Sequence, residues 1–293
     1  MISPRGDHAF RSDHGRLRET ERVTVTAPEV VVRTLDRIAD IADAEALFAA
    51  TWPGQPPATA GLMRALEHAG GYVAGAYLDG GMVGAAAAFL ASHPTPGLHS
   101  HVAAVAPAAR GRGVGYALKV HQRAWAAEHG LQTVTWTFDP LVRRNAWFNI
   151  GKLGASIGEY LVDFYGRMDD GINDGDESDR LLAVWPVTDV VHDRTGFHDR
   201  TGLHDHREVG AEVRVALAEV EGRPVVGDAD GDVSAGDVIA VATPPDVESL
   251  RRTDPAVAHA WRIAVREALE PRLRTGRVVG FTRAGSYLVT TGG

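Results

Sequence analysis

The chain has 293 residues, of which 44% are hydrophobic and 23% charged, and this composition is that of a globular protein and excludes global disorder. A net charge of −8 argues against broad nucleic-acid binding, which needs a basic surface. The absence of cysteine excludes disulfides, thiolate metal ligands and an acyl-cysteine intermediate.

Hydrophobic periodicity and turn residues predict the elements of the first two thirds of the chain. Residues 1–27 are polar and predicted to be a loose tail. The elements predicted after this tail are a strand at 29–35, helices at 38–52 and 58–68, a hairpin turning at 79–81, a strand at 98–106, a helix at 116–130, a strand at 131–138 and a short helix closed by Gly154.

Residues 192–206 contain a six-residue repeat, HDRTGF followed by HDRTGL and then HDH. Four of the 13 histidines of the chain lie in these residues. We interpret 191–208 as a linker, with zinc or nickel binding as the weaker alternative. This linker divides a predicted domain at 28–190 from an α+β region at 209–293. In that region we predict strands at 213–222 and 237–244, an amphipathic helix at 254–276 and a final pair of strands.

No targeting segment or membrane span is predicted. The longest apolar run, residues 82–91, is too short to cross a bilayer. The charged N-terminus lacks the apolar region of a secretory signal. We therefore expect a cytoplasmic protein with neither a membrane nor a nucleic acid as partner, and leave a homodimer open.

A glycine-rich turn with two arginines precedes the helix predicted at 116–130. Glycines at a helix start let the backbone approach a ligand, and the free N–H groups there favour an anion. Arginine adds bidentate donors suited to phosphate. The turn therefore indicates a diphosphate site, although its spacing fits neither a P-loop nor the Rossmann glycine pattern. It comprises Arg110, Gly111, Arg112, Gly113, Val114 and Gly115.

The run VAPAARGRGVG resembles the pyrophosphate-binding signature of the GNAT superfamily of acyl-CoA N-acyltransferases, [QR]-x-x-G-x-[GA]. Arg110, Gly113 and Gly115 occupy its defined positions. The segments TWTFDP, RNAWFNIGKLGA and DFYG further resemble a poorly characterised bacterial branch of predicted GNAT acetyltransferases and succinyltransferases. The resemblance covers about residues 29–168.

The resemblance implies an α/β fold with a mixed sheet in which two parallel strands, about His99–Val105 and Thr133–Phe138, splay apart around the pantetheine arm of CoA. Backbone groups near Val105 would pair with that arm, and the amides of Arg110–Gly115 would hold the pyrophosphate. Lining the thioester end or the adenine side would be Asn145, Phe148 and Lys152.

The activity implied is direct transfer of an acetyl or related acyl group, succinyl included, from acetyl-CoA or another acyl-CoA to the amine of a small molecule such as an amino acid. No metal is expected. The alternative is a catalytically degenerate CoA-binding sensor or scaffold, because Ile150 stands where the superfamily often has a tyrosine.

For the general base we favour His101, with His99 second, because both lie on one face of a strand and an imidazole titrates near neutral pH. Glu159 and Asp163 remain alternatives. The backbone N–H of Val105 is the expected oxyanion donor. For the acid, Tyr160 and Tyr165 are the candidates.

The chain has only two lysines, Lys119 and Lys152, and both fall in this segment. We predict Lys119 to face solvent on its helix and Lys152 to bind a CoA phosphate or an acceptor carboxylate. Arg262 and Arg266 share a face of the late helix, where a solvated salt-bridge face is favoured over a grip on a substrate carboxylate.

Overall fold

The computed structural model describes residues 29–52, 56–92, 95–166, 176–187, 213–229 and 237–290. Its first sheet has seven strands in the order β1-β2-β3-β4-β5-β7-β6, and the second has five in the order β11-β12-β10-β8-β9. The strands of the first sheet are β1 (Val31–Thr34), β2 (Tyr72–Leu78), β3 (Gly81–Ala91), β4 (Gly97–Val105), β5 (Thr133–Phe138), β6 (Ser156–Leu161) and β7 (Arg180–Pro186). Those of the second are β8 (Val213–Val220), β9 (Arg223–Val226), β10 (Val238–Ala242), β11 (Arg277–Phe281) and β12 (Ser286–Thr290).

Helices cover both faces of the first sheet, and the longest helix packs with the second. They are α1 (Ile38–Thr51), α2 (Ala60–His68), α3 (Val114–Glu128), α4 (Arg143–Ala146), α5 (Val247–Thr253) and α6 (Pro255–Leu273), with a 3-10 turn at Pro107–Ala109 and a π-helical turn at Trp147–Lys152. No helix in these described ranges is both long and apolar enough to cross a membrane.

The alanine-rich strand β3 explains how helices pack closely on both faces of the sheet. Ala86 and Ala88 belong to the core cluster that includes α3, whereas Ala85 and Ala87 belong to the cluster formed with α1 and α2. All four are buried. Because successive residues of a strand alternate faces, a run of small side chains lets helices approach from both sides.

The predicted fold class is confirmed: the chain is α/β, with a mixed sheet and an additional C-terminal sheet. β4 and β5 are parallel, and the remaining pairs of the first sheet are antiparallel. In the second sheet β8 and β10 are parallel. The first-sheet elements up to β5 occur in the predicted order, and the hairpin turn lies at Asp79–Gly80.

Four elements were not predicted from the pattern: β6, β7, β9 and α5. The polar tail and the histidine repeat lie outside the described residues. The division into domains at 190 and 209 therefore stays a prediction.

Candidate active site

A wedge opens between the parallel strands β4 and β5. Their pairing runs from Gly97↔Thr133 to His99↔Thr135 and ends there, although both strands continue. At the same level the register of β4 against β3 shifts, because Ala87 pairs with Val102 and Ala88 with Ser100. The extra residue, His101, forms a β-bulge. A bulge bends its strand and increases the local twist, which accounts for the separation from β5.

The far part of β4 presents unpaired backbone groups to this wedge. The amide of Ala106 donates to the carbonyl of Val83 on β3, 2.8 Å away. Alternate residues of a strand turn their N–H and C=O groups to opposite neighbours. Ala103 and Val105 therefore direct theirs towards β5, which no longer pairs with them. An extended, peptide-like chain can hydrogen-bond to such an edge.

The glycine–arginine turn lies at the open end of the wedge, between the 3-10 turn and α3. Gly111 and Gly113 have φ values of +78° and +81°, which only glycine adopts without strain. Gly113 is the N-cap of α3, so the first amides of the helix have no acceptor within the helix. Arg110 and Arg112 are exposed beside them. Free amides, a helix N-terminus and two guanidinium groups are the donors that binding of a diphosphate requires.

Of the other residues predicted to contact CoA, Val105 and Phe148 lie beside the turn. A Cβ placed on Gly115 would lie 4.0 Å from the Phe148 ring and 3.8 Å from a methyl of Val105. Asn145 is half-buried on α4, and Lys152 is exposed at the end of the π-helical turn. Ile150 packs against the core.

Both predicted histidines lie on the face of the sheet opposite α3. The His99 Nδ1 is 3.0 Å from the Thr135 hydroxyl, and the Phe89 ring lies 5.0 Å from the His99 ring and 6.0 Å from that of His101. Burial lowers the pKa of His99 to about 4, with smaller contributions from His101 and Lys119, so His99 is neutral at physiological pH.

His101 is exposed, and its Nε2 lies 3.2 Å from the carbonyl oxygen of Pro57. A carbonyl can only accept, so Nε2 carries the proton of this hydrogen bond. The neutral ring then has its lone pair on Nδ1, which is the atom available to a substrate.

The two candidate tyrosines have different surroundings. The Tyr165 hydroxyl lies 3.0 Å from the Thr137 hydroxyl on β5, and the side chain is 43% exposed. Tyr160 is buried, and its hydroxyl donates to Asp179 at 2.6 Å, while burial raises its pKa far above the usual range. Tyr165 is therefore on the wedge, whereas Tyr160 has a structural partner inside the protein.

Glu159 and Asp163, the alternative bases, lie away from the wedge. β6 is separated from β5 by β7, which places it about 10 Å from β5. Glu159 is exposed on β6, and Asp163 just beyond it accepts the amide of Ser178 at 3.0 Å.

The prediction that Lys119 faces solvent is wrong. Its side chain is buried between α3 and the sheet, where Nζ donates to the Ser100 hydroxyl at 2.9 Å and lies 3.9 Å from the centre of the Trp136 ring. Position 119 falls on the buried face of α3, which also carries Leu118, Gln122, Arg123 and Ala126. Burial lowers the pKa of Lys119 to about 7.

The interpretation of Arg262 as part of a solvated face is also corrected. Its guanidinium is buried and makes two hydrogen bonds of 2.9 Å with the Asp139 carboxylate, directly after β5. Arg251 donates to the same carboxylate at 2.6 Å, and Asp176 lies against both arginines. Arg266 binds Asp179 and Glu177. The carboxylates these arginines hold are therefore the protein's own, and they join α5 and α6 to the end of β5.

A separate cleft of about 290 Å³ lies between α4 and the segment before α5, and none of the predicted site residues lines it. It is lined by residues 141–144 and 245–248.

The first sheet combines a bulged strand, a parallel wedge and a glycine–arginine turn at the start of a helix. Residues 36–151 match the family model described as the acetyltransferase (GNAT) family. The match covers less than half of the chain. No curated protein matches.

Among solved structures, the chain is similar to the IAA acetyltransferase from Bacillus cereus, with 16% identity over 54% of this chain and 99% of that one and a TM-score of 0.42. It is similar to yncA from Salmonella typhimurium, solved with its cofactor acetyl-CoA, with 15% identity over 55% and 96% of the chains and a TM-score of 0.44. A third is the ribosomal-protein-S18-alanine N-acetyltransferase from Escherichia coli, with 14% identity over 56% and 98% and a TM-score of 0.44.

Proposed function

We propose that the protein transfers an acyl group from acyl-CoA directly to the amine of a small molecule. The observation that carries this proposal is the wedge between β4 and β5, whose open end meets the glycine–arginine turn. A wedge lined by free backbone groups takes an extended arm, and the turn takes a diphosphate. Acyl-CoA combines these two features in one molecule.

For CoA binding, the exposed guanidinium groups of Arg110 and Arg112 and the first amides of α3 hold the diphosphate. The backbone groups of Ala103 and Val105 pair with the pantetheine arm. The Val105 N–H is assigned to this arm and not to the oxyanion expected from the sequence, because about 13 Å of β4 separates it from His101, the proposed base. Lys152, exposed at the end of the π-helical turn, is proposed as a contact for a CoA phosphate.

The proton steps are assigned to the face opposite α3. His101 Nδ1 removes a proton from the acceptor ammonium, and the Tyr165 hydroxyl supplies one to the leaving thiolate. Thr135 binds His99 and Thr137 binds Tyr165. These threonines are two residues apart on one face of β5, which is about 7 Å, so both candidate groups lie over the same face of the sheet.

A small acceptor is favoured over an extended polypeptide because residues 56–59, which precede α2, lie over this face. The carbonyl of Pro57 in this segment contacts His101 directly. The exposed rings of Phe89 and Tyr165 flank the face on its two sides. An acceptor panel should therefore include amino acids, simple aromatic and aliphatic amines, and short N-terminal peptides, each with acetyl-CoA and succinyl-CoA.

Replacing both arginines of the turn, Arg110→Ala with Arg112→Ala, is expected to weaken CoA binding. Each lost charged hydrogen bond is worth about 1.5–3 kcal/mol, which is roughly 10-fold to 100-fold in Kd. Isothermal titration of CoA measures the change directly.

The matched control replaces two other exposed arginines, Arg37 and Arg252, by alanine and should leave the Kd for CoA unchanged. Equal Kd values for the turn variant and the wild type would refute the diphosphate site. Tight CoA binding with no CoA thiol released across the whole acceptor panel would contradict the transfer reaction and favour a sensor.

A further inference from the structure

The buried Lys119 lies at the closed end of the wedge. Its two contacts, Ser100 on β4 and Trp136 on β5, are the first residues beyond the last paired positions, His99 and Thr135. The lysine thus spans the two strands from the α3 side at the level where they part. The histidines occupy the other side of the same level.

If Lys119 had only a structural role, burying its charge would lower the stability of the fold. It is 7% exposed, and within the described ranges no carboxylate lies within ion-pair distance of Nζ. One hydroxyl and one aromatic face replace its water shell. One turn further along α3, Gln122 is buried, and neither its side-chain nitrogen nor its side-chain oxygen has a hydrogen-bond partner among the described residues. Apolar side chains would fill this space more favourably, and uncompensated buried polar groups concentrate at functional sites.

We propose that Lys119 is a positioning residue for acyl transfer, which orients the Ser100 hydroxyl towards the wedge and places a positive charge beneath the reacting thioester. This inference rests on the proposed function. Because the Ser100 oxygen accepts a hydrogen bond from Nζ, its own hydrogen is free to point away from the lysine. A cation held in a water-poor site stabilises the negative charge that develops on the thioester oxygen and sulfur.

Few ionisable groups surround Lys119. The charge beneath the thioester is therefore set by the protonation of Lys119 itself. β3 and β5 carry no ionisable side chain. On β2, Tyr72 binds His121, and on β1, Arg33 is exposed and binds Tyr77. β4 contributes His99 and His101 on the opposite face, and Arg123 on α3 stacks on Trp185. The ammonium of Lys119 loses its charge as the pH rises through about 7.

Three single variants and one double variant test the proposal. Each is measured by steady-state kinetics between pH 5.5 and 9 with the best acceptor of the panel. Lys119→Met should lower kcat by about 100-fold, as expected when one preorganised stabilising group is lost. The Kd for CoA and the KM for acyl-CoA should stay within about twofold, and the Tm should be unchanged or higher because a buried charge has been removed. Lys119→Arg should keep activity at alkaline pH, where the wild type loses it.

Ser100→Ala keeps the lysine and its charge and should lower kcat by a smaller factor, and the double variant should lose no more than Lys119→Met alone because the lysine orients the serine hydroxyl. A wild-type kcat in both Lys119→Met and Ser100→Ala would overturn the proposal. Failure of the wild type to bind CoA or release its thiol would instead contradict the proposed function, and the CoA titration separates the two cases.

Discussion

Replacing Asp139 by asparagine should lower the free energy of unfolding by about 3–5 kcal/mol, the largest effect on stability that we expect. The carboxylate accepts hydrogen bonds from Arg262 and Arg251, all three side chains being buried, and from the amide of Leu141. An uncharged amide removes the counter-charge that the two buried guanidinium groups share, although Asp176 still lies against both. Urea denaturation monitored by circular dichroism measures the difference.

The matched control is Asp79→Asn. Asp79 lies in an exposed turn with a φ of +50°, a conformation that asparagine tolerates, so this variant should change the free energy of unfolding by less than about 0.5 kcal/mol.

The arginines hold the pKa of Asp139 far below its usual range. A depressed folded-state pKa contributes stability above the unfolded value of about 3.9 and loses it as the pH falls. The difference between wild type and Asp139→Asn should therefore shrink below about pH 4, and a difference under 1 kcal/mol at pH 7 would contradict this account.

Replacing His101 by alanine should lower kcat by a factor of about 10²–10⁴, the loss expected when a general base is removed. The imidazole is exposed, and the Pro57 carbonyl fixes the proton on Nε2 and leaves Nδ1 free. Initial-rate measurements of CoA thiol release give kcat.

Two controls accompany this variant. His68→Ala removes an exposed histidine at the end of α2 and should leave kcat at the wild-type value. CoA binding by His101→Ala should equal that of the wild type, since the ring lies on the face opposite α3 and the turn. A wild-type kcat in His101→Ala would exclude it as the base and direct the search to His99.

The binding half of the site could be predicted from local sequence because its determinants are local. Gly111 and Gly113 specify a backbone conformation, and the helix that follows specifies free amides, so residues 110–115 predict an anion site without tertiary information. The order of strands up to β5 follows likewise from alternation and turn residues.

The features that were not predicted depend on contacts distant in sequence. Lys119 is buried because Ser100 and Trp136 meet above it, and no pattern within α3 shows that meeting. Arg262 is buried because Asp139, 123 residues earlier, lies opposite it. The bulge at His101 is a register shift between β3 and β4, which an alternating run of His, Ser and Ala does not specify.

A crystal structure with CoA bound tests the central claim most directly. The account predicts the pantetheine arm between β4 and β5, hydrogen-bonded to the backbone of Ala103 and Val105, the diphosphate on residues 110–115, and the sulfur near Ser100. Density for CoA elsewhere on the molecule, or β4 and β5 paired beyond His99 and Thr135 in the complex, would contradict it.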